Sequence, residues 1–326
     1  MSSSTRYTFL LPAYKAAYFE VMLRSLQCQT YQDFKVLISD DCSPEPLHDI
    51  FNAVCTDDPR FIYRRNSENL GGKSLVAHWN LLVDLCDTDY CIMASDDDIY
   101  APDFLLQMDH LTHKYPDLDI YRARCQQING QGEILASDYN LDEYMTYLQY
   151  LTTFDFKMQI CVPNWVFKTK SLKAIGGFVD FPTAMKSDSA TCMLLARHGI
   201  ACSKDILFSF RLSEHNISNN HNINFVREKE ILRANTMFME WYRKNIIPTI
   251  PTETSYDNNL AFLIRKAHES HMQEALTLYI RSLNLRELIQ FLHICNKHGY
   301  VRGCLNTLQF ILKWKKVRKD ALRHSA

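Results

Sequence analysis

Residues 91–104 read CIMASDDDIYAPDF. The apolar run from Tyr90 to Ala94 is followed by three adjacent aspartates, Asp96, Asp97 and Asp98. A helix-start signal comes next, with Pro102 and Asp103 suited to a first turn. The order is therefore buried strand, acidic turn, helix. Neighbouring carboxylates repel one another, so a chain that sets three of them at the end of a buried strand gains from a cation there.

Working outward, the same strand-then-helix order recurs upstream. Residues 7–11 (YTFLL) predict a strand, and residues 15–29 a helix with Phe19, Met22, Leu23 and Leu26 on one face. Residues 34–39 (FKVLIS) and 61–65 (FIYRR) predict further strands, with a helix over 44–55 between them. A turn over 66–72 (NSENLGG) leads into a helix over 73–86, then the strand at 90–94 and a helix over 102–114. Four such units in succession predict an α/β fold, an open, mostly parallel sheet with helices on both faces. The middle is less regular, with strands expected at 119–125 and 206–213, a turn at 128–133 and an extended stretch at 161–169. Helices are expected at 141–153 and 184–198, with a break at Gly176-Gly177. From Phe225 the pattern is helical to the end, interrupted near Pro248 and Pro251. The expected organisation is an α/β domain over residues 1–222 and a helical C-terminal extension over 223–326.

The 326 residues are 47% hydrophobic, enough for one large domain with an appended module. Lys and Arg number 36 against 37 Asp and Glu, a balance that argues against nucleic acid as a partner. The 11 cysteines form no CxxC pair and no zinc-ligand spacing, which fits free thiols in a reducing cytosol. The apolar run at the N-terminus is too short for a signal-peptide core, and no apolar run reaches the ~18 residues of a membrane span. A cytoplasmic location without a transmembrane helix is expected. Asn216-Ile217-Ser218 matches a glycosylation sequon and is read as chance in that setting. His110 and His113 share a helix face without a third ligand and are read as structural.

In an open α/β sheet, ligands bind beyond the carboxyl ends of the strands. Pro12, Ala13, Tyr14 and Lys15 follow the first strand, and Asp40, Asp41, Cys42 and Ser43 the second. Asn66 to Lys73 follow the third, and Ser95 to Asp98 the fourth. Each group alone reads as a helix cap, a turn or a solvated loop. Their convergence on one sheet edge points to a ligand site. Hard carboxylate oxygens suit Mg2+ or Mn2+, and magnesium completes its shell with water and substrate phosphates. The other half of the site is therefore expected to be a diphosphate. Tyr14 can stack on a nucleotide base, and a carboxylate at Asp40-Asp41 can accept its N–H groups.

The series LPAYK, ISDDCSP, ENLGG…N and ASDDDIYAPDFL resembles glycosyltransferase family 2, of the GT-A fold. The likeness is specific over about residues 6–110. It continues more loosely through IGGFVDFPTAMKSDSA (175–190) and FRLSEHNIS (210–218), and does not cover the C-terminal third. It implies transfer of a sugar from a nucleotide diphosphate sugar donor to an acceptor, with inversion at the anomeric carbon. It further implies that Pro12, Ala13 and Tyr14 border base and ribose, and that Asp41, with Asp40 beside it, accepts from the base. Asn69, Gly71 and Lys73 then lie near ribose and diphosphate. Asp96 and Asp97 form the acidic metal motif, with Asp98 adjacent. Asp188 is the implied catalytic base, and Arg211 and His215 match a basic motif facing the diphosphate, where His215 also counts as a metal ligand.

Two departures stand out. Where the family often has Asp-x-Asp-Asp, aligning on Asp97-Asp98 puts Ser95 at the first position, which leaves open whether Asp96, Asp97 or both hold the metal; Asp98 beside them is counted with the metal ligands. Where it often has Glu-Asp before the base, this chain has Ser187-Asp188. The Gln-x-x-Arg-Trp motif of processive polysaccharide synthases is absent, so a single-addition transferase is expected. Asp41 favours a uracil- or thymine-like base, since both offer an N3–H.

Residues 308–319 (LQFILKWKKVRK) interleave basic and apolar side chains. That composition suits a helix lying at an anionic membrane surface through residues 301–326, or a terminal helix packed on its own protein. The membrane reading fits a lipid-linked saccharide acceptor on the cytoplasmic face of the cell membrane. The likeness alone suggests surface polysaccharide synthesis, such as O-antigen or capsule. A sugar-1-phosphate nucleotidyltransferase is an alternative, but it wants a glycine-rich basic loop after the first strand, and LPAYKAAYF has no glycine. A non-catalytic nucleotide-sugar-binding protein on the same fold is the other alternative.

Overall fold

A computed structural model describes residues 5–153, 161–213 and 225–250. In chain order the elements are β1 (Tyr7–Ala13), α1 (Phe19–Gln27), β2 (Phe34–Asp40), α2 (Leu47–Cys55), β3 (Phe61–Arg65), α3 (Leu75–Leu85) and β4 (Tyr90–Met93). There follow β5 (Ile99–Tyr100), α4 (Phe104–Lys114), β6 (Ile120–Ile128), β7 (Ile134–Ser137), β8 (Tyr144–Met145) and α5 (Tyr147–Thr153). The last are β9 (Trp165–Lys168), α6 (Thr169–Ala174), α7 (Ser187–Leu195), β10 (Ile200–Arg211) and α8 (Phe225–Asn245). The strands form one sheet in the order β3-β2-β1-β4-β9-β6-β10-β5, with β7 on β6 and β8 on β10. The β3-β2-β1-β4 half is parallel, as the repeated strand-helix units require. β9 enters antiparallel between β4 and β6, and β10 lies parallel to β6.

The two-residue period of the central strands explains the layering. Tyr7, Phe9, Leu11 and Ala13 of β1, with Ile92 of β4, face one hydrophobic cluster, while Leu10, Cys91 and Met93 face the other. Phe19, Met22, Leu23 and Leu26 of α1 pack into the first cluster, as their spacing predicts. Phe104, Leu105 and Met108 of α4 join them there. On the opposite face Val76, Leu82 and Val83 of α3 pack with Ala190 and Met193 of α7. Strands buried on both faces leave only their ends for polar side chains.

Element boundaries differ from expectation where tertiary contacts decide them. The first helix begins at Phe19, four residues late, and the chain ahead of it is tied to the acidic triplet through the N–H groups of Tyr14 and Lys15 on Asp96. Residues 144–145 are a strand rather than helix because Tyr144 and Met145 pair with β10. β10 starts at Ile200, six residues early, since Lys204 and Asp205 sit in a register irregularity that breaks its apolar pattern. α7 starts at Ser187 behind a stretch with Thr183, Ala184 and Lys186 at positive φ. α8 bears out the helical pattern after Phe225, and its Ala234, Phe238 and Tyr242 pack into the α3/α7 cluster beside Phe181. Residues 251–326, including the basic tail, lie outside the described residues. Among the described residues no helix is long and apolar enough to cross a membrane, and the cysteines are free thiols.

The Gly176-Gly177 break is sterically enforced. Gly177 has φ +85°, and a Cβ there would lie 2.4 Å from Asn80 Oδ1. That oxygen accepts the Phe178 N–H at 2.7 Å, and Asn80 Nδ2 donates to the Phe178 carbonyl at 3.0 Å, fastening the segment before α7 to α3. Gly177→Ala must therefore enter the left-handed region, at about 1–2 kcal/mol, and disturb two hydrogen bonds worth about 1 kcal/mol each. A loss of roughly 2–4 kcal/mol in urea unfolding is expected. A change within about 0.5 kcal/mol, the usual range for surface positions, would contradict this account.

Candidate active site

The acidic triplet closes the carboxyl end of β4. Asp96 Oδ2 accepts the backbone N–H groups of Tyr14 and Lys15, each at 2.8 Å, so it ties the loop after β1 to the end of β4. Asp98 is fully buried, with Oδ1 accepting the Arg211 N–H at 2.8 Å and Oδ2 bonded to the Ser95 hydroxyl. Asp97 lies between them and is 6% exposed. Burial first, and Asp96 second, push its carboxyl up to about 6, against the pull of Lys15, Arg211 and Ser95. Burial also raises Asp96, offset by the N–H groups of Tyr14 and Lys15. Asp98 is raised well above the carboxylate range by burial and by Asp97. All three carboxyls are thus raised, by burial first and, at Asp97 and Asp98, by the charge of a neighbouring carboxylate as well. Among the described residues no three or more His, Cys, Asp and Glu side chains are placed to hold a metal ion together.

Arg211 closes this side of the site from the end of β10. Its Nε donates to the Asp97 carbonyl at 2.8 Å, and Nη1 to the carbonyls of Asn129 and Gly130 at 3.1 and 3.3 Å. The guanidinium carbon lies 4.2 Å from the centre of the Tyr18 ring. The charge implied to face a diphosphate is thus sunk among backbone carbonyls beneath Asp97, where it acts on the carboxylate.

The ends of β2 and β3 build the other flank. Asp40 is buried and structural in its contacts: Oδ1 accepts the Ser43 N–H at 2.8 Å, and Oδ2 accepts the Tyr63 hydroxyl at 2.6 Å and the Arg65 guanidinium. Asp41 Oδ1 accepts from Asn66 Nδ2 and the Leu70 N–H, each at 2.9 Å, and Oδ2 from the Gly71 N–H at 2.7 Å. The carboxylate therefore organises the loop that follows β3. Gly71 is required there, since a Cβ would come within 2.9 Å of Asp41 Oδ2. Asn69 Oδ1 accepts the Gly72 N–H at 2.5 Å, and Lys73 Nζ pairs with Glu68 at 2.6 Å on the surface. Pro12 and Ala13 stand opposite Ser39 and Asp40 in the β1–β2 register. The Tyr14 carbonyl accepts the Ser43 hydroxyl at 2.5 Å, and the residue is 39% exposed.

Asp188 sits in the first turn of α7, half-buried, and is not the helix cap. The cap position is Lys186, which is left-handed and makes no side-chain cap bond. Asp188 Oδ1 accepts the Ser189 N–H at 2.6 Å. Burial raises its pKa, while the Ser189 N–H and the Lys186 charge oppose the rise. Among the described residues no hydrogen bond links Asp188 to the acidic triplet. The Asn80 clamp on Phe178 sets the entry to α7, the helix that carries Asp188. His215 lies outside the described residues.

Several residues of this edge escape a reading of the sequence. Tyr18 acts only through a tertiary contact, its ring against the Arg211 guanidinium. His78, in the middle of α3, looks like any helix-face histidine until its burial against Ser39 and Asn66 is seen. Asn80 carried a signal, as the final Asn of ENLGG…N, but nothing in that pattern names Gly177 and Phe178 as its partners.

The mostly parallel α/β sheet, with an acidic triplet closing β4, is of the GT-A type. The chain belongs to glycosyl transferase family 2, whose family model matches residues 8–176. Among solved structures it is similar to residues 1–349 of S. aureus TarS in complex with UDP-GlcNAc. The identity is 15% over 93% of this chain and 92% of that one, with a TM-score of 0.66. It is also similar to the mannosyltransferase PcManGT from Pyrobaculum calidifontis in complex with GDP-Man and Mn2+. There the identity is 12% over 93% of this chain and 87% of that one, with a TM-score of 0.54. At these identities the likeness speaks for the fold.

Proposed function

We propose that the enzyme moves a sugar from a nucleotide diphosphate sugar to a hydroxyl of a saccharide acceptor, with inversion and with Mn2+ or Mg2+ as cofactor. The observation that carries this reading is the buried triplet, whose middle carboxyl is pushed up to about 6 by its surroundings. Asp97 is the carboxylate assigned to the ion, since both oxygens of Asp98 are engaged by Arg211 and Ser95. Of the other ligands expected from the sequence, Asp96 and His215 are kept with it, while Asp98, bonded to Arg211 and Ser95, braces the turn. The ion supplies charge neutralisation for the departing diphosphate. Tyr14 offers its exposed ring to the base, and the Asp41-ordered loop carrying Asn69 and Gly71 borders the ribose. Asp188 takes the proton of the attacking hydroxyl on the face opposite the leaving group. Family membership decides against the nucleotidyltransferase alternative. The solved relatives' UDP-GlcNAc and GDP-Man support a nucleotide sugar as donor.

A thermal-shift panel of nucleotide diphosphate sugars with manganese tests this reading. The true donor at ~100 times its dissociation constant stabilises the fold by about 2.7 kcal/mol. A panel in which no nucleotide sugar shifts the transition counts against it.

The basic, apolar tail supports a lipid-linked acceptor in surface polysaccharide synthesis, met at the cytoplasmic face of the membrane. Each Lys or Arg near an anionic surface contributes ~1 kcal/mol, within a Debye length. The full chain is expected to float with anionic vesicles at low salt, and a chain truncated after Tyr300 is not. Equal flotation of the two, or none by either, would remove the membrane assignment.

A further inference from the structure

His78 is 1% exposed and faces three groups on the nucleotide flank. Its Nε2 lies 2.9 Å from Ser39 Oγ and 3.3 Å from Asn66 Nδ2, and its Nδ1 lies 3.6 Å from Asp41 Oδ2. The Asn66 amide is oriented by Asp41, since its Nδ2 donates to Asp41 Oδ1 at 2.9 Å. An amide nitrogen can only donate, so Nε2 must be the acceptor and the ring proton sits on Nδ1, facing Asp41. Carboxylate, imidazole and hydroxyl follow one another here as in a serine hydrolase, yet Ser39 is fully buried in β2 and no substrate reaches it.

We propose that His78, held neutral with its proton on Nδ1, is a positioning residue that aligns Asp41 and Asn66 for the nucleotide and links nucleotide binding to a proton. The inference rests on the nucleotide-sugar reading above. The charged groups acting on the ring are Asp41 at the end of β2 and Arg64 on β3. Burial, aided by Arg64 and opposed by Asp41, keeps the ring neutral to below the ordinary imidazole value. A second proton on Nε2 points at the Asn66 amide, a donor facing a donor. Asn66 must then turn away and release Asp41 Oδ1. The imidazolium meanwhile draws Asp41 Oδ2 from the Gly71 N–H. Acid thereby loosens the loop over residues 66–71, and nucleotide affinity falls.

The test is calorimetric titration of the full chain and of His78→Gln with UDP and with GDP, each with manganese, from pH 8 to 5.5. Titration of the acidic triplet is common to both proteins, so only the difference between them reports His78. The variant binds a few-fold more weakly at pH 8. On acidification the wild type loses about three- to tenfold more affinity than the variant, the slope of one linked proton. Parallel loss in the two proteins overturns the proposal. Should His78→Gln fail to fold, the ring 15N shifts of the wild type decide, because a proton on Nε2 at pH 8 overturns it as well. If the wild type binds neither nucleotide at any pH, the nucleotide-sugar reading fails, and this inference with it.

Discussion

Asp97→Ala is expected to abolish manganese-dependent binding of a nucleoside diphosphate while leaving the fold intact or slightly more stable. Asp97 is nearly buried between two other carboxylates, and its own is pushed up to about 6. In the unfolded chain the same group titrates near ~3.9. Between those values the folded state holds the extra proton, so this group makes metal-free stability fall as pH rises from about 4 to 6. The alanine variant lacks that loss. Manganese reverses it in the wild type by binding the ionised form. The signature is therefore double, with affinity lost in isothermal titration and metal-free stability at pH 7 retained or raised. Unchanged manganese-dependent affinity would put the ion elsewhere.

Asp188→Asn is expected to keep donor binding and lose transfer by ~100- to 10,000-fold, the usual worth of a general base. The amide cannot accept the hydroxyl proton at neutral pH. Because the cap position belongs to Lys186, the substitution removes no helix cap, and thermal stability should hold. Single-turnover transfer separates the two outcomes. A rate within a factor of a few of wild type would reduce Asp188 to a first-turn acid that suits the helix dipole.

The parallel half of the sheet was legible because its signals are local. Phe61–Arg65 is the strand its own residues predict, and the α1 stripe of Phe19, Met22, Leu23 and Leu26 is buried as its spacing requires. The antiparallel insertion was less so. Lys204 and Asp205 disguise the middle of β10, and Tyr144–Met145 is a strand only because β10 lies beside it. The strand ends could be named as a site edge, since adjacent carboxylates at 40–41 and 96–98 follow apolar runs. Their division of labour could not. That Asp40 braces Arg65, Asp96 holds the β1 loop and Asp98 holds Arg211 depends on partners 25 to 113 residues away in sequence. His78 carried no signal because a buried histidine on a helix is chosen by what it touches.

The most direct measurement is anomalous diffraction at the manganese edge from crystals of the full chain grown with Mn2+ and UDP or GDP. The account predicts a single manganese peak within ~2.5 Å of an Asp97 oxygen, with the diphosphate on the same ion and the base against Tyr14. A nucleotide bound on this edge without manganese, or manganese bound away from Asp96, Asp97 and Asp98, would contradict it.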